Sequence, residues 1–185
     1  MCAYEQALRA LPGDKHSTLE PLGTNQWIGY PRFVEPEPLR PGSAAPSIPG
    51  IDFSPGPNVL FFYKVTCPVC QLAAPPVSLF QRAYPGRIKG IGQDPSEKLA
   101  EFDRAYLMGF PSVADLPPYR VSNAYGIRTV PTTFLVDAEG TILDTVESWD
   151  RDGLNRVSKQ LAALLGADFA SISEPDDGLP PFRPG

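Results

Sequence analysis

Proline sets the outer limits of what this chain can fold into. The 185 residues hold 23 prolines, most of them in the first 60 residues or the last dozen. Each removes a backbone donor and fixes φ, so a proline-dense stretch supports neither a helix interior nor a central strand. The run from Pro31 through Glu35-Pro-Glu-Pro-Leu-Arg-Pro-Gly42 is therefore expected to lie extended over a domain, with Trp27, Tyr30 and Phe33 available for docking. A short helix at Ala3–Ala10, closed by Pro12-Gly13, is the one regular element expected before it. The far end, Ser171–Gly185, is acidic and then Pro-rich, and its composition reads as a mobile tail. Leu179–Pro184 belongs to that tail rather than to a partner-binding motif. Between the two ends remains a compact part of roughly 120–135 residues, an ordinary domain size. The division is a lead-in at 1–41, a domain at 42–166 and a tail at 167–185.

A net charge of −5 with a pI near 4.9 argues against nucleic acid or an anionic membrane surface as partner. Phosphate binding needs clustered Lys and Arg. The longest apolar stretch of the domain, Val59–Tyr63, is far too short to span a bilayer. The first ten residues have neither a basic start nor a continuous apolar core. The expectation is a cytoplasmic monomer without membrane contact.

Within the domain, the text alternates between strand and helix. Asn58–Val65 is a continuous apolar run with aromatic and branched side chains, the pattern of a strand covered on both faces. Residues 68–83 read as a helix that Pro75-Pro76 should kink or break. A short strand at Arg87–Gly92 precedes a helix at Pro95–Met108, with Leu99, Phe102, Ala105 and Tyr106 at helical spacing. Ser112–Asp115 is a short strand, and Pro117–Tyr125 a short helix stopped by Gly126. Thr132–Val136 and Thr141–Val146 flank the turn Asp137-Ala-Glu-Gly140 and form an antiparallel pair. Asp150–Leu165 is an amphipathic helix with Leu154, Val157, Leu161, Leu164 and Leu165 on one face. This order predicts an α/β fold, a central mixed sheet flanked by helices.

The chain has three cysteines, Cys2, Cys67 and Cys70, which is no disulfide framework. Cys67-Pro-Val-Cys70 sits where the buried strand ends and a helix begins. A helix's first turn carries unpaired N–H groups and the positive end of its dipole, which favour a thiolate at Cys67. Pro68 falls at the first helical position, where a missing N–H costs nothing. Cys70, one turn on, can close a disulfide and resolve a mixed one. A C-x-x-C is also half of a zinc site, and Cys2 and His16 are the remaining candidate ligands. Chemically idle cysteines are the plainer alternative.

Phe61-Phe-Tyr-Lys-Val-Thr-Cys-Pro-Val-Cys70, followed by Tyr125-Gly-Ile-Arg-Thr-Val-Pro-Thr-Thr-Phe-Leu-Val-Asp-Ala-Glu-Gly140, resembles the thioredoxin superfamily. More narrowly, it is similar to the TlpA/ResA-like, AhpC/TSA-related branch, with Gly42-Ser-Ala-Ala-Pro46 resembling that branch's entry motif. The resemblance covers about residues 42–166 and implies a thioredoxin fold. It implies that Pro131 is cis and faces the cysteines, and that the Val130 backbone pairs with an extended substrate. Thr66, Pro68 and Val69 would complete the substrate-facing surface. The sequence also departs from the pattern. Thr66 replaces the usual Trp before the first cysteine and is placed to hydrogen-bond its sulfur. The acids that such proteins carry near the second cysteine fall on Phe61 and Ala73, so no proton acceptor for Cys70 is identifiable. Lys64 is a candidate for electrostatic help to a thiolate, or an ordinary solvated lysine.

A peroxide-reducing site of the related type would need a hydroxyl three positions before Cys67 and a proline four further back. Lys64 and Leu60 stand there. With His16 as the single histidine, in the lead-in, a Ser/His/Asp or Cys/His hydrolase has no support. The expected activity is thiol–disulfide exchange without cofactor or metal. Its partners would be a disulfide-containing protein or small molecule and an electron-donating reductase. The alternative is a thioredoxin-like binding or redox-sensing module whose cysteines hold a partner or a metal.

Overall fold

Six consecutive buried residues, Asn58–Tyr63, form strand β1 at the centre of the sheet. Side chains alternate across a strand, so an uninterrupted apolar run fills two cores at once. Val59, Phe61 and Tyr63 point into one cluster, Leu60 and Phe62 into the other. A computed structural model of the chain describes residues 37–185, which lie in one compact unit. The expected Ala3–Ala10 helix and the aromatics Trp27, Tyr30 and Phe33 fall outside the described residues, as do Cys2 and His16.

On one side β1 pairs in parallel with β2 (Ile88–Gly92), which pairs in parallel with β3 (Ser112–Ala114). On the other side it pairs antiparallel with β4 (Thr132–Val136), and β4 with β5 (Ile142–Glu147). The resulting mixed sheet has the order β3-β2-β1-β4-β5. Helices α1 (Pro68–Ala83), α2 (Ser96–Tyr106) and α4 (Arg151–Leu165) contribute to the cluster around Phe61. The short helix α3 (Arg120–Ala124) borders the other, beside Tyr125, Phe134 and Ile48. Gly126, at φ +68°, closes α3 where a Cβ would run into the carbonyl of Glu37. At the start of the domain, Gly42 and Ala45 donate to the carbonyls of Ile142 and Gly140 at 2.8 and 2.7 Å, covering the β5 edge; the expected extended run from Pro31 lies outside the described residues as far as residue 36. Among the described residues no helix is long and apolar enough to cross a membrane.

Three local expectations need correction. Of the kink or break expected at Pro75-Pro76, the break does not occur: α1 runs on through both prolines; Pro76, Val77 and Phe80 are buried, so packing of that face overrides the local propensity. On α4, Leu164 is 51% exposed, and Ser158 and Ala162 complete the buried face in its place. The tail expected to be mobile is docked. Ile172 and Ser173 are buried, and two short strands, β6 (Trp149–Asp150) and β7 (Phe182–Arg183), pair antiparallel. Buried Arg151 donates to Ser173 Oγ at 3.1 Å and to the Leu179 carbonyl, and Trp149 Nε1 donates to the Pro180 carbonyl at 2.7 Å.

Candidate active site

The sheet delivers β1 directly to the start of α1, and the four residues between them, Lys64 to Cys67, make the turn that presents the sulfur. Cys67 is the N-cap of α1, in extended conformation at φ −82° and ψ 119°, with Pro68 opening the helix. The Cys70 backbone N–H donates to Cys67 Sγ at 3.2 Å, so one orphan donor of the first turn is aimed at the sulfur. Cys67 Sγ donates in turn to the Val130 carbonyl at 3.3 Å. The Val130–Pro131 peptide is cis. Its loop is held by the Ser148 N–H on the Pro131 carbonyl at 2.7 Å and by Thr132 Oγ1 on the Thr129 carbonyl at 2.8 Å.

The two sulfurs differ in access. Both are free thiols; Cys67 is half-buried, Cys70 wholly buried. Phe61, Ala73 and Ala74 belong to the cluster that encloses Cys70. Burial pushes the Cys70 thiol well above the ordinary range; a backbone hydrogen bond from Lys64 offsets part of this, while Cys67 and the Asp94 charge add to it. The positions where acids were missing in the sequence, Phe61 and Ala73, are indeed apolar wall.

Of the residues expected around the sulfur, Thr66 and Pro68 are exposed and Val130 is half-buried, while Pro131 is buried. Val69 is buried in the core cluster rather than facing substrate. Thr66 makes no hydrogen bond to the sulfur, whose partners are the Cys70 amide and the Val130 carbonyl. Among the described residues no three potential metal ligands cluster.

Two residues escaped the sequence reading. Asp94 Oδ2 accepts from the Val65 N–H at 2.8 Å, and Gln71 Nε2 donates to the Val65 carbonyl at 2.9 Å. Together they clamp the turn that carries Cys67 from both sides. The signal for Asp94 is topological: parallel pairing of β1 with β2 sets the segments that follow them side by side. Gln71 has no comparable signal.

The family model described as "AhpC/TSA family" matches residues 50–145. A curated relative, the methylamine utilization protein MauD of Paracoccus versutus, is 28% identical over 121 residues, 64% of this chain and 57% of the relative. The chain thus spans little more than half of that relative's length. Among solved structures, the thioredoxin domain of a thiol-disulfide oxidoreductase from Bacteroides vulgatus is 25% identical, with a TM-score of 0.57 over 66% of this chain and 99% of that one. A Chlorobium tepidum chain assigned as the thiol:disulfide interchange protein DsbE superposes with a TM-score of 0.60 at 21% identity, over 69% of this chain and 99% of that one. This last likeness is one of fold.

Proposed function

The chain belongs to the AhpC/TSA family, and we propose that within it the chain is a thiol–disulfide oxidoreductase with Cys67 as nucleophile and Cys70 as resolving thiol. One observation carries the reading: a half-buried sulfur caps α1 beside the Val130 carbonyl, with a second, buried sulfur one turn below. The Cys67 thiolate attacks one sulfur of a substrate disulfide. A Cys67–substrate bond forms, the substrate S–S bond breaks, and the other substrate sulfur leaves as thiolate. Cys70 then loses its proton to solvent and attacks Cys67 Sγ. The Cys67–Cys70 disulfide forms and the second substrate thiolate departs. The substrate gains two electrons and the protein pair loses them; an external dithiol donor, supplied by a reductase, restores the reduced pair.

Val130 offers backbone groups to an extended substrate, with exposed Thr66 and Pro68 bordering the sulfur. The net direction follows the compartment. In a reducing cytoplasm, the location proposed here for a monomer, substrate is reduced. Disulfide reduction with dithiothreitol as donor and insulin as acceptor tests the reading. Wild type should turn over, Cys67→Ser should not, and Cys70→Ser should accumulate a mixed disulfide at Cys67. A wild-type pair that cannot be cycled, or one that purifies with tightly held zinc and no accessible disulfide, overturns it.

A further inference from the structure

The docked segment after α4 has no part in the chemistry above, yet it ends at the reacting sulfur's neighbour. Its base is firmly held: Arg151 and Trp149 take the carbonyls of Leu179 and Pro180, and the Arg151 N–H donates to the Pro181 carbonyl at 3.0 Å. Beyond that base the segment is lightly held. Residues 182–185 are all exposed, and their attachments are the two-residue β6–β7 ladder and a hydrogen bond from Gly185 N–H to Ser148 Oγ at 3.1 Å. Ser148 is the residue whose N–H holds Pro131. The closing approach is tight, because a Cβ on Gly185 would run into the Val130 carbonyl oxygen and lie 2.7 Å from Thr129 Oγ1. That same Val130 carbonyl accepts from Cys67 Sγ.

We propose that Phe182–Gly185 is a wall of the substrate cleft, selecting disulfides by the width of the chain that carries them. The proposal rests on Cys67 being the nucleophile. An extended polypeptide laid against Val130 needs a free lane about 4.7–4.9 Å wide beside that backbone. Gly185 already stands in contact there, so a protein substrate has to displace the tip of the segment. A small disulfide does not, since Thr66 and Pro68 leave the other flank of Cys67 open to solvent. The firm base and the few contacts of Phe182–Gly185 suit this: these residues can shift while Leu179–Pro181 stay in place.

The test is a chain ending at Pro181, which loses the wall but keeps all three anchoring carbonyls. Reduction of insulin and of hydroxyethyl disulfide is measured side by side, with melting curves to establish folding. The ratio of insulin to hydroxyethyl disulfide kcat/KM should rise severalfold over wild type. Gly185→Val in the full chain should raise it in the same direction, by forcing the tip off Val130 without shortening anything. This second variant decides the matter if the shortened chain fails to fold. An unchanged ratio in the presence of turnover overturns the wall alone. Absence of turnover toward both disulfides in every form, with Cys67 still alkylated by iodoacetamide, overturns the oxidoreductase reading and the selection with it.

Discussion

Two sulfurs one helical turn apart meet opposite surroundings, and the proposed division of labour rests on that difference. Cys67 is reachable and carries an amide N–H on its sulfur; Cys70 is sealed among Phe61, Ala73 and Ala74, with no carboxylate hydrogen-bonded to it among the described residues. Since burial raises the Cys70 thiol above its ordinary value of 9.0, the fold favours the neutral form. In a Cys2→Ser/Cys67→Ser background, the ultraviolet absorbance of the Cys70 thiolate should therefore appear only at pH clearly above 9.0; a titration at or below that value contradicts the assignment. The linked stability has a definite sign. A neutral thiol with a raised value contributes in full below the unfolded-state value, and that contribution is lost as pH rises beyond it. The reduced protein should thus lose melting temperature above about pH 9, where an unfolded cysteine ionises. Oxidised protein and Cys70→Ala, which have no Cys70 thiol to titrate, should lose less. Tyr63, pushed up to about 12 mainly by burial, acts in the same direction in all three forms and cancels in the comparison.

At the scale of elements, the turn between β1 and α1 owes its shape to side chains from elsewhere. Asp94→Ala would leave the Val65 N–H without its acceptor, at a cost of about 1–2 kcal/mol. Disulfide exchange at Cys67 should slow as the turn loosens. Asp94→Asn keeps an acceptor oxygen and should recover most of both, whereas equal losses in the two variants would mean the charge itself is needed. The sequence made the regular elements legible because apolar runs and helical spacing are local signals. Asn58–Tyr63, Thr132–Val136 and the Leu154/Val157/Leu161 face all follow from them. The Cys67-Pro-Val-Cys70 junction was legible for the same reason. The Asp94 contact was not, since it exists only once β2 lies parallel to β1. Nor was the passage of α1 through two prolines, where the buried face of the helix outweighs the residues' own preference.

Across the whole molecule, the docking of the C-terminal segment was the least legible feature, and the physical reason is plain. Composition reports on side chains, and an acidic, Pro-rich stretch has few to bury. Buried Ile172 and Ser173 hold its first part, but beyond them the groups that hold the segment are the carbonyl oxygens of Leu179, Pro180 and Pro181, which any sequence carries. Their donors, Arg151 and Trp149, lie some thirty residues earlier at the junction of β5 and α4, with Trp149 directly after Ser148, the residue that braces Pro131. Trp149 is completely buried, so its ring packs in the core while its N–H reaches the tail. Trp149→Phe removes the donor and part of the indole's volume while keeping an aromatic ring in the core. Global stability should fall by about 2 kcal/mol, the net worth of one hydrogen bond together with the cost of a smaller buried ring. Hydrogen exchange at residues 179–185 should rise far more than at β1, because local opening of a lightly attached segment is governed by its own few contacts. The ratio of insulin to hydroxyethyl disulfide turnover should move upward as well, though less than in the chain ending at Pro181, since a loosened wall still occupies the lane part of the time. Uniform acceleration of exchange across the sheet would instead mean that Trp149 serves the core alone and the segment is held by Arg151.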